Sequence, residues 1–150
     1  MSIEDKLVEF RKNIRKNQKK IIDSIIENHT TNICIFCGES ENLTKEHVIP
    51  QWVYDHCTKR TFVNTINNTS QTYHMATLPA CPNCNNNILG TLERHLKHKF
   101  NEIDLLKSFF SNDDIDKIIL WLEILEYKFH VLDLRRKLNK VNGSEYIPYI

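Results

Sequence analysis

Apolar positions near the start of the chain recur at Ile3, Leu7, Phe10, Ile14, Ile21 and Ile25. Steps of three, four and seven lie on one face of an α-helix. The pattern predicts a helix over residues 2–28, opened by a capping box of Ser2 and Asp5. The far end holds a stronger pattern over residues 111–140, opened by a second box of Ser111 and Asp114. One stripe there is Ile115, Ile118, Ile119, Leu122, Leu125, Phe129 and Leu132. A second is Trp121, Ile124, Val131, Leu134 and Leu138. A helix apolar on two faces needs two surfaces to pack against. The N-terminal helix supplies one. The second stripe is therefore expected in a homodimer or against a partner protein, unless the N-terminal helix covers it within one chain. Gly143 and Pro148 end the pattern.

Between the helices the periodicity changes. Ile33–Phe36 and Val48–Val53 have strand character. Residues 58–74 are rich in Thr, Asn and Ser and read as a loop or loose hairpin. Ile88, Leu89, Leu92, Leu96 and Phe100 give Asn85–Phe100 helical spacing, with Gly90 inside it. The expected class is α+β, in three parts: an N-terminal helical extension at 1–30, a central unit at 31–100, and a C-terminal helical region at 101–150 for packing or oligomerisation.

Five cysteines change the picture. Cys34-Ile35-Phe36-Cys37 and Cys81-Pro82-Asn83-Cys84 are two Cys-x-x-Cys pairs. Four thiolates in two close pairs supply what one tetrahedral Zn²⁺ needs, whereas one pair leaves two positions empty. The N-terminus has no signal-peptide pattern and no apolar run approaches membrane length. Cytoplasmic placement is therefore expected, with thiols reduced and metal favoured over disulfides. Cys57 is left over, most simply as a free thiol.

Between the pairs lies Glu46-His47-Val48-Ile49-Pro50, and Asn85 follows the last cysteine directly. A zinc would draw the ends of this segment together and bring Glu46 and His47 near Asn85. Cys34, Cys37, Glu46, His47, Pro50, Cys81, Cys84, Asn85 and Asn86 together resemble the HNH (ββα-metal, His-Me finger) endonucleases. The likeness is to the branch stapled by a four-cysteine zinc, which includes recombination endonuclease VII of phage. It covers roughly residues 31–97, under half of the chain. It implies a ββα-metal finger flanked by helices, and phosphodiester hydrolysis of nucleic acid, DNA first. Proteins of this size and motif also resemble parts of phage-defence or mobile-element systems. One departure stands out: five residues before Cys81, near where many such enzymes place an asparagine, this chain has Ala76. Asn64, Asn67, Asn68 or a backbone carbonyl would then orient His47.

Phosphodiester hydrolysis needs an activated water and positive charge near the phosphate. His47 is expected as general base. Glu46 and Asn85 offer hard oxygen ligands, which suit Mg²⁺ or Mn²⁺ better than a second zinc. Arg94, Lys97 and Lys99, with His95 and His98, form a basic run after the second pair. Arg11, Lys12, Arg15, Lys16, Lys19 and Lys20 form another on the first helix. Such runs meet phosphate or simply face solvent. A net charge of +1 argues against a protein that coats nucleic acid indiscriminately. The competing reading is a zinc-ribbon-like module that binds nucleic acid or protein without cutting. It needs only the cysteines and leaves Glu46, His47 and Asn85 unexplained. His74 is the next candidate base after His47.

Overall fold

The N-terminal stripe forms α1, Ile3–Glu27, with Leu7, Phe10, Ile14, Ile21 and Ile25 buried. The computed structural model describes residues 3–28, 30–55, 57, 59–64, 69–103 and 109–138. Ser2, Asn67, Asn68, Gly143 and Pro148, named above, lie outside these residues, as does the side chain of Asn64.

Two short antiparallel sheets occupy the centre. β1 (Thr44–His47) pairs with the later strand Thr77–Ala80 in the register Thr44↔Ala80 to His47↔Thr77. One further bond, Val48 N–H to Ala76 O at 2.8 Å, extends the ladder. The expected strand at Val48–Val53 does not form. Pro50 sits at φ −57°, ψ 142° and the chain turns there into a short helix, α2, Gln51–Tyr54. Proline has no N–H to offer a ladder, and its fixed φ suits a helix start. The Thr- and Asn-rich stretch does make a hairpin, of β2 (Thr61–Asn64) and β3 (Thr69–Thr72). β4 is then the partner of β1, Thr77–Ala80.

Ile33–Phe36 is also not a strand. Ile35 N–H reaches Pro79 O at 3.1 Å beside β4, but the chain then turns back, with Gly38 N–H bonded to Cys34 O at 2.9 Å. The turn is set by Gly38 at φ +83°, a conformation glycine adopts without strain. Ile35 and Phe36 are buried in the same core. Their apolar character therefore reports burial, not sheet pairing.

After Cys81 the chain forms a wide π-helical turn, Asn83–Leu89, which runs into α3, Gly90–Glu102. Gly90 N–H bonds Asn85 O, the five-residue spacing of a π turn. Leu89, Leu92 and Leu96 face inward, as their spacing predicts.

α4, Asn112–Leu138, opens with the predicted box: Asp114 N–H donates to Ser111 Oγ at 3.1 Å, and Ser111 N–H to Asp114 Oδ2 at 3.2 Å. Its second stripe is covered within the chain, the alternative in which the N-terminal helix supplies the cover. Trp121, Ile124, Val131 and Leu134 are buried inside this chain, in one core with the apolar face of α1 and with α3. In the other stripe Leu132 is buried and Ile118, Leu125 and Phe129 pack partly against the same core, while Ile115, Ile119 and Leu122 are exposed. The stripe assigned to a second copy or a partner is the one α1 helps to cover. The result is a mixed fold of helices with two small antiparallel sheets. Among the described residues, no helix is long and apolar enough to cross a membrane.

This packing separates two kinds of substitution on one helix. Ile124→Ala is expected to cost about 2–5 kcal/mol, because a buried side chain leaves a cavity. Ile119→Ser should change stability by no more than about 0.5 kcal/mol. Urea unfolding of both variants checks this, and equal effects would contradict the burial pattern.

Candidate functional site

The four cysteines of the two pairs come together. Their sulfurs all lie within 4.8 Å of one another, although the pairs are far apart in sequence. Cys37 Sγ and Cys81 Sγ are 3.7 Å apart. Sulfurs about 2.3 Å from a tetrahedral zinc are about 3.8 Å from each other, so this spacing fits the ion. It is far too long for a disulfide, whose S–S bond is about 2.05 Å. Backbone groups shape both pairs: Cys34 N–H bonds Glu39 O at 2.6 Å, and Asn85 N–H bonds Cys81 O at 2.9 Å. Cys34, Cys81 and Cys84 are buried and Cys37 is exposed.

The thiols show why such a cluster attracts a cation. A hydrogen bond from the Cys84 thiol pulls Cys34 down to about 4. Burial pushes Cys37 up to about 11, and the bond to Cys34 pushes Cys84 up strongly. One sulfur ionises readily and its charge opposes ionisation of the next. A divalent ion bound there would remove that opposition and displace the remaining protons. Four thiolates in tetrahedral reach can hold a zinc ion. Cys57 lies apart, exposed on the surface.

β1 carries Glu46 and His47 at its end, and strand alternation turns them to opposite sides. Glu46 faces the core at 6% exposure, while His47 is half-buried. Glu46 Oε1 accepts a hydrogen bond from Lys128 Nζ, and Lys128 is completely buried. The same ammonium donates to His47 O at 3.1 Å and stands 3.7 Å from Glu93 Oε1. Two carboxylates and a carbonyl thus surround one buried lysine. Burial raises Glu93 to about 7; Lys128 opposes the shift and Glu46 adds to it.

His47 opens onto a cleft of about 370 Å³, which is also lined by Glu46, Trp52, Asp55, Gly90, Glu93, Arg94 and Lys97. Its ring lies 6.4 Å from that of Tyr54. Two of the expected basic residues, Arg94 and Lys97, therefore reach the cleft. Lys99 does not; it pairs with Asp114 at 3.3 Å, as does His95 at 3.0 Å. His98 pairs with Glu102 at 3.0 Å. On α1, Arg11 grips Glu123, with Nε 2.7 Å from Oε2, and Arg15 approaches the same carboxylate at 3.4 Å. Lys19 faces solvent. Asn85 points its amide Nδ2 at Thr44 Oγ1, 2.9 Å away, two residues before Glu46 on the same strand. His74 is exposed on the turn Tyr73–Met75, and Ala76 is fully buried beside it.

Lys128 and Glu93 were not singled out from sequence. A signal for both exists. Lys128 falls four residues after Ile124 and three before Val131, on a core stripe. Glu93 falls four after Leu89 and three before Leu96. A charged side chain at an interior helical position needs a buried partner.

Two predictions follow from this geometry. Purified protein should contain about one zinc per chain, and Cys81→Ser should lose both the metal and stability, since structural zinc binding is largely folding energy. Folded protein free of zinc by elemental analysis would overturn the assignment. The second concerns pH. Glu93 keeps its proton to about 7 when folded, against 4.5 ordinarily. Its contribution to stability is therefore fully present below about 4.5 and is lost as pH rises through about 7. The stability of the wild type relative to Glu93→Gln should fall across that window. A flat difference in denaturant unfolding would show that Glu93 does not ionise in this way.

No protein-family model, curated protein or solved structure matches this chain, so the reading of the site rests on its own residues.

Proposed function

We propose that this protein is a metal-dependent endonuclease that hydrolyses phosphodiester bonds of nucleic acid, DNA first, with His47 as general base. The observation that carries the reading is the cleft at the end of β1. There a half-buried imidazole faces a space edged by the carboxyl groups of Glu46 and Glu93 and the cations Arg94 and Lys97. An antiparallel pair followed by a helix, with the four-cysteine cluster at its root, agrees with the ββα-metal finger that the motif suggests.

In this reading His47 takes the proton of the attacking water. Arg94 and Lys97 bind and orient the phosphate, and the guanidinium offers paired donors to its oxygens. Lys128 fixes the end of β1 by holding both the carboxylate of Glu46 and the carbonyl of His47. The donor chemistry suits Mg²⁺ or Mn²⁺. Lys128 takes one oxygen of Glu46, the carboxylate has a second, and Asn85 keeps its carbonyl oxygen while its nitrogen bonds Thr44. Glu46 and Asn85 would hold such an ion, which would supply positive charge against the phosphate oxygens; Glu46 lines the cleft of His47, whereas Asn85 is not among its lining residues.

One observation favours the non-catalytic alternative. Glu46 is buried and ion-paired, as a purely structural carboxylate would be. Cleavage decides between the readings. Plasmid, linear and single-stranded substrates are incubated with Mg²⁺ or Mn²⁺ and wild type or His47→Ala. The variant should lose on the order of 10²–10⁴ in rate while keeping its zinc and its fold. Equal cleavage by both proteins would remove His47 from the mechanism, and no cleavage by wild type would leave the binding module.

A further inference from the structure

A second cavity, of about 540 Å³, lies between α1 and the start of α3, and its lining is unusual. Asn13 of α1 faces it together with Asn83, Asn86 and Asn87 of the π-helical turn. All four are exposed. Lys6 and Arg94 add two positive charges against the single negative charge of Glu9. Arg94 also lines the cleft of His47, so it borders both spaces. Its Nη2 donates to Thr91 Oγ1 at 3.0 Å.

An asparagine amide carries two donors and an acceptor; here one donor, Asn87 Nδ2, is directed to Asn83 Oδ1 at 3.3 Å. A nucleotide presents both kinds of partner, with acceptors on phosphate and sugar and mixed edges on its bases. Amide and arginine side chains supply much of the hydrogen bonding to phosphate and sugar in known complexes. Resting on the nuclease reading of the cleft, we propose that an unpaired strand of nucleic acid leaves the cleft past Arg94 and lies in this groove. Arg94 grips the phosphate at the junction, and the asparagines hold the next nucleotides. The groove is bounded by α1 on one side and by the π-helical turn and the start of α3 on the other. Substrate choice then favours single-stranded or unpaired segments.

The test uses zinc-loaded protein with His47→Ala, so that bound substrate survives. Fluorescence anisotropy reports binding of a labelled single strand and of the matching duplex. Asn86→Asp with Asn87→Asp adds negative charge to the groove and should weaken single-strand binding about tenfold or more, because like charge repels phosphate. Gln18→Glu, in the separate cavity between α1 and α4, adds the same charge elsewhere and should leave binding within about twofold. Zinc content and melting midpoint confirm that each variant is folded. Arg94→Ala should weaken binding, and Arg94→Lys should restore part of it. Undiminished binding by the aspartate pair, or tighter binding of duplex than of single strand, would overturn the groove and leave the nuclease reading standing. Failure of the parent to bind any nucleic acid would overturn both. Loss of binding in the aspartate pair, with no cleavage by wild type, would keep the groove and remove the enzyme.

Discussion

The convergence of four sulfurs is the constraint on which the rest of the structure depends. Cys37 and Cys81 are 44 residues apart in sequence, and the segment between them contains both small sheets. Each strand is four residues long, and two-stranded pairs of that size are marginal by themselves in water. Closing the segment at its base removes much of the chain entropy that opposes pairing. The closure also sets direction. Cys81 directly follows β4 and Cys84 lies in the first residues of the helical turn, so the same four sulfurs fix the strand beside β1 and the helix that follows. A metal ion at this point would tie the strand and the helix together in one step.

α4 provides a second tie, and it reaches the same region from the other side. Tyr127 donates its hydroxyl to Ile35 O at 2.6 Å, inside the first cysteine pair. Burial pushes its phenol up, so it remains a donor. The next residue, Lys128, holds Glu46 and the carbonyl of His47. About two turns further on, Arg135 donates to Thr31 O at 2.9 Å. A single helix face thus secures the approach to the knuckle, the knuckle itself and the end of β1. Buried ion pairs are poor sources of net stability, because desolvation offsets their attraction. Their strength is in geometry: a buried ammonium must be satisfied, and only one placement of β1 satisfies this one.

Those ties also explain what was legible in the chain. The helices were, because Leu7, Phe10, Ile14 and the stripes of α4 follow the 3.6-residue period that burial on one side imposes. The cysteine cluster was, because paired thiols at close spacing have few other uses. Ile33–Phe36 and Val48–Val53 were not, since apolar runs of four to six residues look the same whether they pair in a sheet or fold around a metal. Pro50 and Gly38 were the local signals that decided those segments. The division of α4 into inner and outer stripes was hidden for a different reason. Periodicity locates faces but does not say which neighbour covers them, and α1 and α3 both lean on the stripe of Trp121 and Ile124. The contacts of Glu46 lay beyond one-dimensional reading, because Lys128 is 82 residues away.

The charges show a similar selectivity. The chain carries 20 basic and 19 acidic side chains, and many of the basic ones meet an acid within the fold. Arg11 and Arg15 converge on Glu123, Lys99 and His95 on Asp114, Lys117 on Asp113, and Lys128 on Glu46. These pairs position elements and project little field into solvent. The basic ridge expected along α1 is therefore weaker than its sequence suggests. Arg94 differs, because its hydrogen bond goes to the neutral hydroxyl of Thr91 and its charge stays directed at the two cavities it borders. In a nearly neutral protein, attraction for an anionic strand has to be local to matter. The residues that keep such a field in reach of His47 are Arg94 and Lys97, both placed by the helix that the cysteine cluster starts.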